Sequence, residues 1–236
     1  MTPPFELQVA LRYLLARRKQ AFISVISLIS TLGVTVGVMA LVIALALMTG
    51  LQKELRDRIL GSTAHIYVWK TGGLTDYHAE VKKLLGMRHV IGAAPAVLGK
   101  ALIEGAHGDQ FITIKGIDPA LEPTVSDITH AMREGSFSAL AQTPDDQPPG
   151  ILLGTDLANQ LGVTVGDSVT IMTPQGTLSP MGMIPRTRRL RVAGIFSLGL
   201  FEFDSAYGYV TLDVAERLLD QPMPEVIQLR VDDIYA

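Results

Sequence analysis

The chain has 236 residues, no cysteine and a formal net charge of −3, with a mean hydropathy of +0.32. Without cysteine there are no disulfides, no thiolate chemistry and no cysteine-zinc sites. Without a basic excess there is no overall field to attract nucleic acid.

The first segment, FELQVALRYLLARRK, follows Pro3 and Pro4, which suit a helix start. Phe5, Val9, Arg12 and Ala16 fall on one side, and Leu7, Leu11, Leu14 and Leu15 on a more apolar one. Residues 1–19 thus read either as an interfacial amphipathic helix or as an extension of the helix that follows.

Gln20 to Gln52 carry no formal charge. As a helix this run reaches about 50 Å, against a hydrocarbon core of about 30 Å. Its apolar length exceeds that of a signal peptide, about 7–15 residues, and no small-residue cleavage site follows it cleanly, so it reads as an uncleaved membrane span. Ser30, Gly33, Gly37, Ala40 and Ala44 recur at steps of three and four along one face. That stripe permits close approach of a partner helix, the alternative being a lone anchor with incidental glycines. Arginines and lysines are balanced on the two flanks, and only Arg17, Arg18 and Lys19, with no acid beside them, favour a cytoplasmic N-terminus.

Leu51, Leu55 and Ile59 continue at helical spacing, which predicts a stalk over 53–61 capped by Gly61. Beyond it, residues 62–236 predict an α+β domain. AHIYVWK reads as a strand, DYHAEVKKLL as a helix begun by Asp76, and AVLGKALIEG and QFITIKGID as strands. Residues 142–150 read as a loop. GILLGTDLANQLGVTVGDSVTI reads as buried strand, short helix, a turn at Gly162 and Gly166, and strand. Prolines 174, 180 and 185 with glycines 176 and 182 predict an irregular loop over 174–185 in which no strand survives. RTRRLRVAGIF, YGYVTL and VIQLRV then read as strands, and DVAERLL as a helix.

Catalytic patterns are missing. Gly99-Lys100 lacks the spacing of a nucleotide loop, the five histidines lack ligand spacing, and GSFS at 135–138 is no nucleophile elbow. Arg186, Arg188, Arg189 and Arg191 are the one basic concentration, read either as a solvated strand face or as a docking site for an acidic partner.

STLGVTVGVMALVIALALMTGLQKELRDRILG, KGIDP, ILLGTDLANQLGVTVGDSVTI, and SPMGMIP before a basic strand together resemble the lipoprotein-releasing permeases of the LolC and LolE type, related to MacB- and FtsX-type permeases. The resemblance implies a long transmembrane helix leading through a stalk into a MacB-like periplasmic core. It implies a non-enzymatic permease subunit of an ABC transporter in the bacterial inner membrane that extracts outer-membrane lipoproteins. ATP and magnesium would sit on a separate LolD-type ATPase, with no cofactor on this chain. Further implied partners are a LolA-type periplasmic carrier, a second permease copy or paralogue, and membrane lipid. Carried over residue by residue, the lipoprotein cavity falls on Met39, Ala40, Ile43, Ala44, Leu47 and Met48. The carrier-binding loop called the hook falls on Pro174, Pro180, Met181, Gly182, Ile184 and Pro185, with Arg188 just beyond. Thr187 stands where LolC carries a glutamine, and the loop is slightly short. The family continues into further membrane helices, so the chain matches the N-terminal portion of a permease. A single-pass MacB/FtsX-type scaffold or sensor for another envelope protein is the alternative reading.

Overall fold

The computed structural model describes residues 5–15, 21–142, 147–179 and 182–234. It divides into two units, Met1–Glu54 and Leu55–Ala236. The order of elements is α1 (Phe5–Leu15), α2 (Ala21–Ser62), β1 (Ile66–Trp69), α3 (Tyr77–Leu85), β2 (Val90–Gly105), β3 (Gly108–Ile117), β4 (Met132–Gly135), β5 (Gly150–Gly154), α4 (Thr155–Leu161), β6 (Ser168–Ser179), β7 (Gly182–Phe196), α5 (Phe201–Ala206), β8 (Tyr207–Thr211), α6 (Leu212–Leu219) and β9 (Val226–Val231). Short 3-10 turns at Glu122–Thr124 and Phe137–Leu140 lie between β3 and β5.

α2 is the one helix among the described residues that is long and apolar enough to cross a membrane. Its 42 residues span about 60 Å at 1.5 Å per residue. Three threonine hydroxyls within the apolar run are satisfied inside the helix: Thr31 donates to the Ser27 carbonyl at 2.8 Å, Thr35 to that of Thr31 at 2.8 Å and Thr49 to that of Leu45 at 2.7 Å. This is the arrangement hydroxyls need in hydrocarbon, where no water replaces a missing partner. The predicted stalk is helical, but Gly61 lies inside the helix rather than capping it. Residues 16–20, between α1 and α2, lie outside the described residues.

In the second unit the strand pairings close on themselves. β2 pairs with β3, β3 with β8, β8 with β5, β5 with β7, β7 with β6, and β6 returns to β2 through Leu102–Glu104. Alternation sends Ile103, Ile112, Ile114, Ile151, Leu153, Ile171, Leu190 and Val192 to one face, where α4 adds Leu157 and Leu161 and α6 adds Leu218 and Leu219. β9 and then β1 extend the sheet from the first half of β2, and β4 adds an edge on β7.

Local chemistry explains several boundaries. The Asp76 carboxylate caps α3 by accepting from Ala79 N–H at 3.0 Å. α4 ends at Gly162, whose φ of 66° is the left-handed conformation glycine adopts without a Cβ penalty. Asp167 accepts from the Thr164 N–H at 2.7 Å and hydroxyl at 2.9 Å, closing the turn into β6.

The irregular loop expected over 174–185 is corrected. β6 and β7 pair just outside that range, Thr173 with Arg186, and again within it, Thr177 to Ser179 with Ile184 to Gly182. Pro174 is absorbed by the register irregularity between Thr173 and Thr177, where a residue without an N–H costs no ladder bond. Pro180 and Met181 lie outside the described residues. β2 also begins six residues earlier than expected, and β4 and α5 carried no sequence expectation.

Candidate functional site

The expected hook is the far end of the β6–β7 hairpin, and its root is fixed to α6. Thr173, fully buried, donates its hydroxyl to the Leu218 carbonyl at 3.0 Å. Opposite it, Arg186 meets the Asp220 carboxylate at 2.9 Å, at the C-terminal cap of α6. A favourable cation lies at the end where the helix leaves its carbonyls unpaired.

Just inside the root, the register lines up four outward positions across four strands. Phe111 on β3 is opposite Leu102 on β2, Leu102 is opposite Met172 on β6, and Met172 is opposite Thr187 on β7. Phe111 is 84% exposed. Leu102, Phe111, Met172, Pro174 and Pro185, with Lys100, line an apolar depression of about 250 Å³. An aromatic left this open on a strand face, beside a shallow apolar hollow, has the anatomy of a contact surface. The Lys100 ammonium donates to the Thr113 hydroxyl at 2.7 Å on the same side.

Of the positions expected to form the hook, Pro174 and Pro185 are exposed at the hairpin root, and Gly182 and Ile184 lie on its outer rungs, where only the backbone is described. Arg188 is half-buried. The four arginines do not act as one free basic surface. Arg186 is engaged by Asp220, Arg189 is exposed, and the Arg191 Nε is buried without a hydrogen-bond partner.

The expected cavity residues belong to the other unit. Met39, Ile43, Leu47 and Met48 are each more than half exposed, and Ala40 and Ala44 are exposed beside them. They share one face of α2, since their spacing of one, three and four residues keeps them within half a turn. Ser30 is exposed, and a Cβ added at Gly33 or Gly37 would meet nothing within 4 Å, so the small-residue stripe is open along its length.

Phe111, Leu102 and Met172 were missed by reasoning from sequence. The signal was available in QFITIK, where Ile112 and Ile114 set the buried phase and Phe111 falls in the phase of Thr113 and Lys115. Further along the same face of β3, Lys115 and Glu122 form an ion pair at 2.7 Å with side chains 6% and 0% exposed. Ser126 donates to the same Glu122 oxygen at 2.8 Å, and the ammonium lies 5.1 Å from the Tyr209 ring centroid. Burial, then the Glu122 charge, pushes the Tyr209 phenol well above its ordinary range, so the ring stays neutral. This cluster positions the segment after β3 and offers no reactive group to solvent. Among the described residues no group of three or more histidine, aspartate or glutamate side chains converges as metal ligands would.

Comparison with known proteins bears on the whole chain. It is 36% identical over 238 residues to the lipoprotein-releasing system transmembrane protein LolC of Xylella fastidiosa strain Temecula1, covering 99% of this chain and 56% of the relative. Identity is 33% over 229 residues to LolC of Neisseria meningitidis serogroup B, covering 96% and 54%. With LolE of Haemophilus influenzae it is 25% over 243 residues, covering 100% and 56%. The chain therefore spans about half the length of these relatives. Among solved structures, the periplasmic region of MacB from Actinobacillus actinomycetemcomitans aligns with a TM-score of 0.46 at 12% identity, covering 74% of this chain and 77% of that one. The extracellular domain of the Gram-positive ABC-type transporter YknZ aligns with a TM-score of 0.45 at 14% identity, covering 70% and 76%. The sequence model of one family matches residues 27–234, and on that match this chain belongs to the MacB-like periplasmic core domain family.

Proposed function

We propose that this chain is part of the permease of a lipoprotein-releasing ABC transporter, extracting outer-membrane lipoproteins from the bacterial inner membrane and passing them to a periplasmic carrier. The observation that carries the reading is the 36% identity to a LolC protein over 99% of this chain, a span that includes both α2 and the β6–β7 hairpin. In this reading α2 crosses the inner membrane with its N-terminus cytoplasmic. Met39, Ala40, Ile43, Ala44, Leu47 and Met48 then offer acyl chains an apolar wall, in which methionine adapts to varied chain positions. Ser30, Gly33 and Gly37 let a neighbouring membrane helix approach. The carrier docks on the hairpin, from Pro174 to Pro185 with Arg188, and on the Phe111 row at its root. Hydrolysis of ATP with magnesium takes place on a LolD-type ATPase, and a second permease copy or paralogue completes the membrane part. The Leu55–Ala236 unit contributes binding and no bond-breaking chemistry.

Affinity purification from native membranes after mild crosslinking tests this. An ATPase together with a lipoprotein carrier is the expected partner set. A cell-wall hydrolase or an efflux tube in their place would overturn lipoprotein release and favour a scaffold of the broader MacB or FtsX type.

A further inference from the structure

The end of β9 is fastened by a histidine whose protonation state the geometry dictates. His65, half-buried in the link from α2 to β1, makes two hydrogen bonds through opposite ring nitrogens. Nε2 lies 3.0 Å from the Leu60 carbonyl oxygen in the last turn of α2, and Nδ1 lies 3.3 Å from the Val231 backbone nitrogen at the last residue of β9. A carbonyl only accepts and a backbone N–H only donates. The ring therefore carries its proton on Nε2 and offers the Nδ1 lone pair to Val231, as a neutral imidazole in a single tautomer.

An imidazolium carries a proton on both nitrogens. It would keep the bond to Leu60 but turn the contact with Val231 into two donors facing each other. The neighbouring charges are largely committed elsewhere. Arg230 on β9 pairs with Asp127 at 2.9 Å, and Asp127 also donates its backbone N–H to the Gly61 carbonyl at 3.1 Å. Asp232 lies 3.0 Å from His89 Nδ1, just ahead of β2, and donates its backbone N–H to the His89 carbonyl at 3.1 Å. Arg58 on α2 has its guanidinium beside Gly199. The His89 contact responds to a proton in the opposite sense, becoming an ion pair when its ring is charged.

We infer that His65 is a proton-operated latch between the last turn of α2 and the end of β9, closed while its imidazole is neutral and released when the ring is protonated. The elements it joins are those by which the chain enters the sheet and leaves it. This goes beyond lipoprotein release and stands whatever the chain's cargo.

The test is NMR on the whole chain in detergent micelles between about pH 8 and pH 5.5, the span in which imidazoles gain a proton. Val231 amide exchange is expressed as a protection factor, and the His65 ring nitrogens are followed in the same samples. Nε2-protonated His65 is expected at high pH. Val231 protection is expected to drop about fivefold to tenfold on acidification, the loss of one hydrogen bond, with the midpoint of the His65 ring titration. His65→Asn supplies an acceptor that does not titrate and is expected to hold Val231 protection flat across the range, while His89→Ala leaves the drop in place. Protection that stays constant in the natural chain, a midpoint that departs from that of the His65 ring, or a drop that persists in His65→Asn would each overturn the latch.

Discussion

Thr173 and Arg186 face each other as a cross-strand pair at the root of the β6–β7 hairpin, and each is tied to the C-terminal end of α6, at Leu218 and Asp220 respectively. The hairpin is thereby fastened on both strands at one level, and the register irregularity begins immediately beyond. Thr173→Val removes a buried donor and leaves the Leu218 carbonyl unpaired, at a cost of about 1–3 kcal/mol. The expected outcome is faster amide exchange from Thr177 to Ser179, measured by hydrogen–deuterium exchange, with β3 and β8 unchanged.

The ion pair between Lys115 and Glu122 is inaccessible to solvent on both sides. Removing one partner strands a buried charge, which costs about 3–5 kcal/mol, whereas replacing both with apolar groups of similar volume is often neutral. Lys115→Met is therefore expected to lower the midpoint of chemical unfolding strongly, and adding Glu122→Leu to recover most of the loss. Equal destabilisation by the single and double variants would show that Lys115 acts through packing against Tyr209 instead.

Two hydrogen bonds from Thr164, first the backbone N–H and then the hydroxyl, hold the Asp167 carboxyl below its usual range. A carboxyl depressed in the folded state contributes stability above its unfolded value and loses it as pH falls through the folded one. Asp167 is exposed, so solvent screens the effect and the contribution is small. Thermal melting from neutral pH down through the carboxylate range is expected to decline less steeply in Asp167→Asn than in the natural chain.

On α2, an acyl-chain wall and a lipid-facing surface differ in their response to charge. Ala44→Asp places a carboxylate in the middle of the proposed wall, at an insertion cost of about 2.5–3.5 kcal/mol. With membrane integration confirmed by alkaline extraction, lipoprotein adducts to a photoreactive residue at Leu47 are expected to fall about tenfold or more. Undiminished adducts would show that Ala44 is no part of an acyl-chain wall.

Short-range chemistry was legible in the residues themselves. Asp76 ahead of an amphipathic run, Gly162 after Leu161, and the alternation of Arg189 and Arg191 with Leu190 and Val192 each specify their local structure within a few positions. What the sequence concealed depends on distant partners. No local pattern announces that β6 returns to β2, because only three residue pairs make that closure. The strands through Pro174 and Pro185 were obscured because proline density signals a loop unless a register shift absorbs the missing donors. α5 follows from Asp204, a buried carboxylate that gathers the Leu198 and Gly199 N–H groups and the Ser197 hydroxyl, a role invisible without the turn it organises. The concentration of prolines and glycines over 174–185 was readable, but the root of the hairpin it lies on was not, since Phe111, Leu102, Met172 and Thr187 are neighbours only through the register of four strands.

The proposed role of the hairpin and the Phe111 row is to receive a lipoprotein carrier. It is tested most directly by placing a benzophenone side chain at Phe111, and separately at Pro185, in the protein within native membranes and identifying the adducts formed on irradiation. A soluble lipoprotein carrier crosslinked at both positions is expected, with about tenfold to thirtyfold weaker carrier binding by Phe111→Asp, the scale of a contact hot spot. Absence of carrier adducts from both positions, or adducts confined to a cell-wall hydrolase or efflux component, would contradict it.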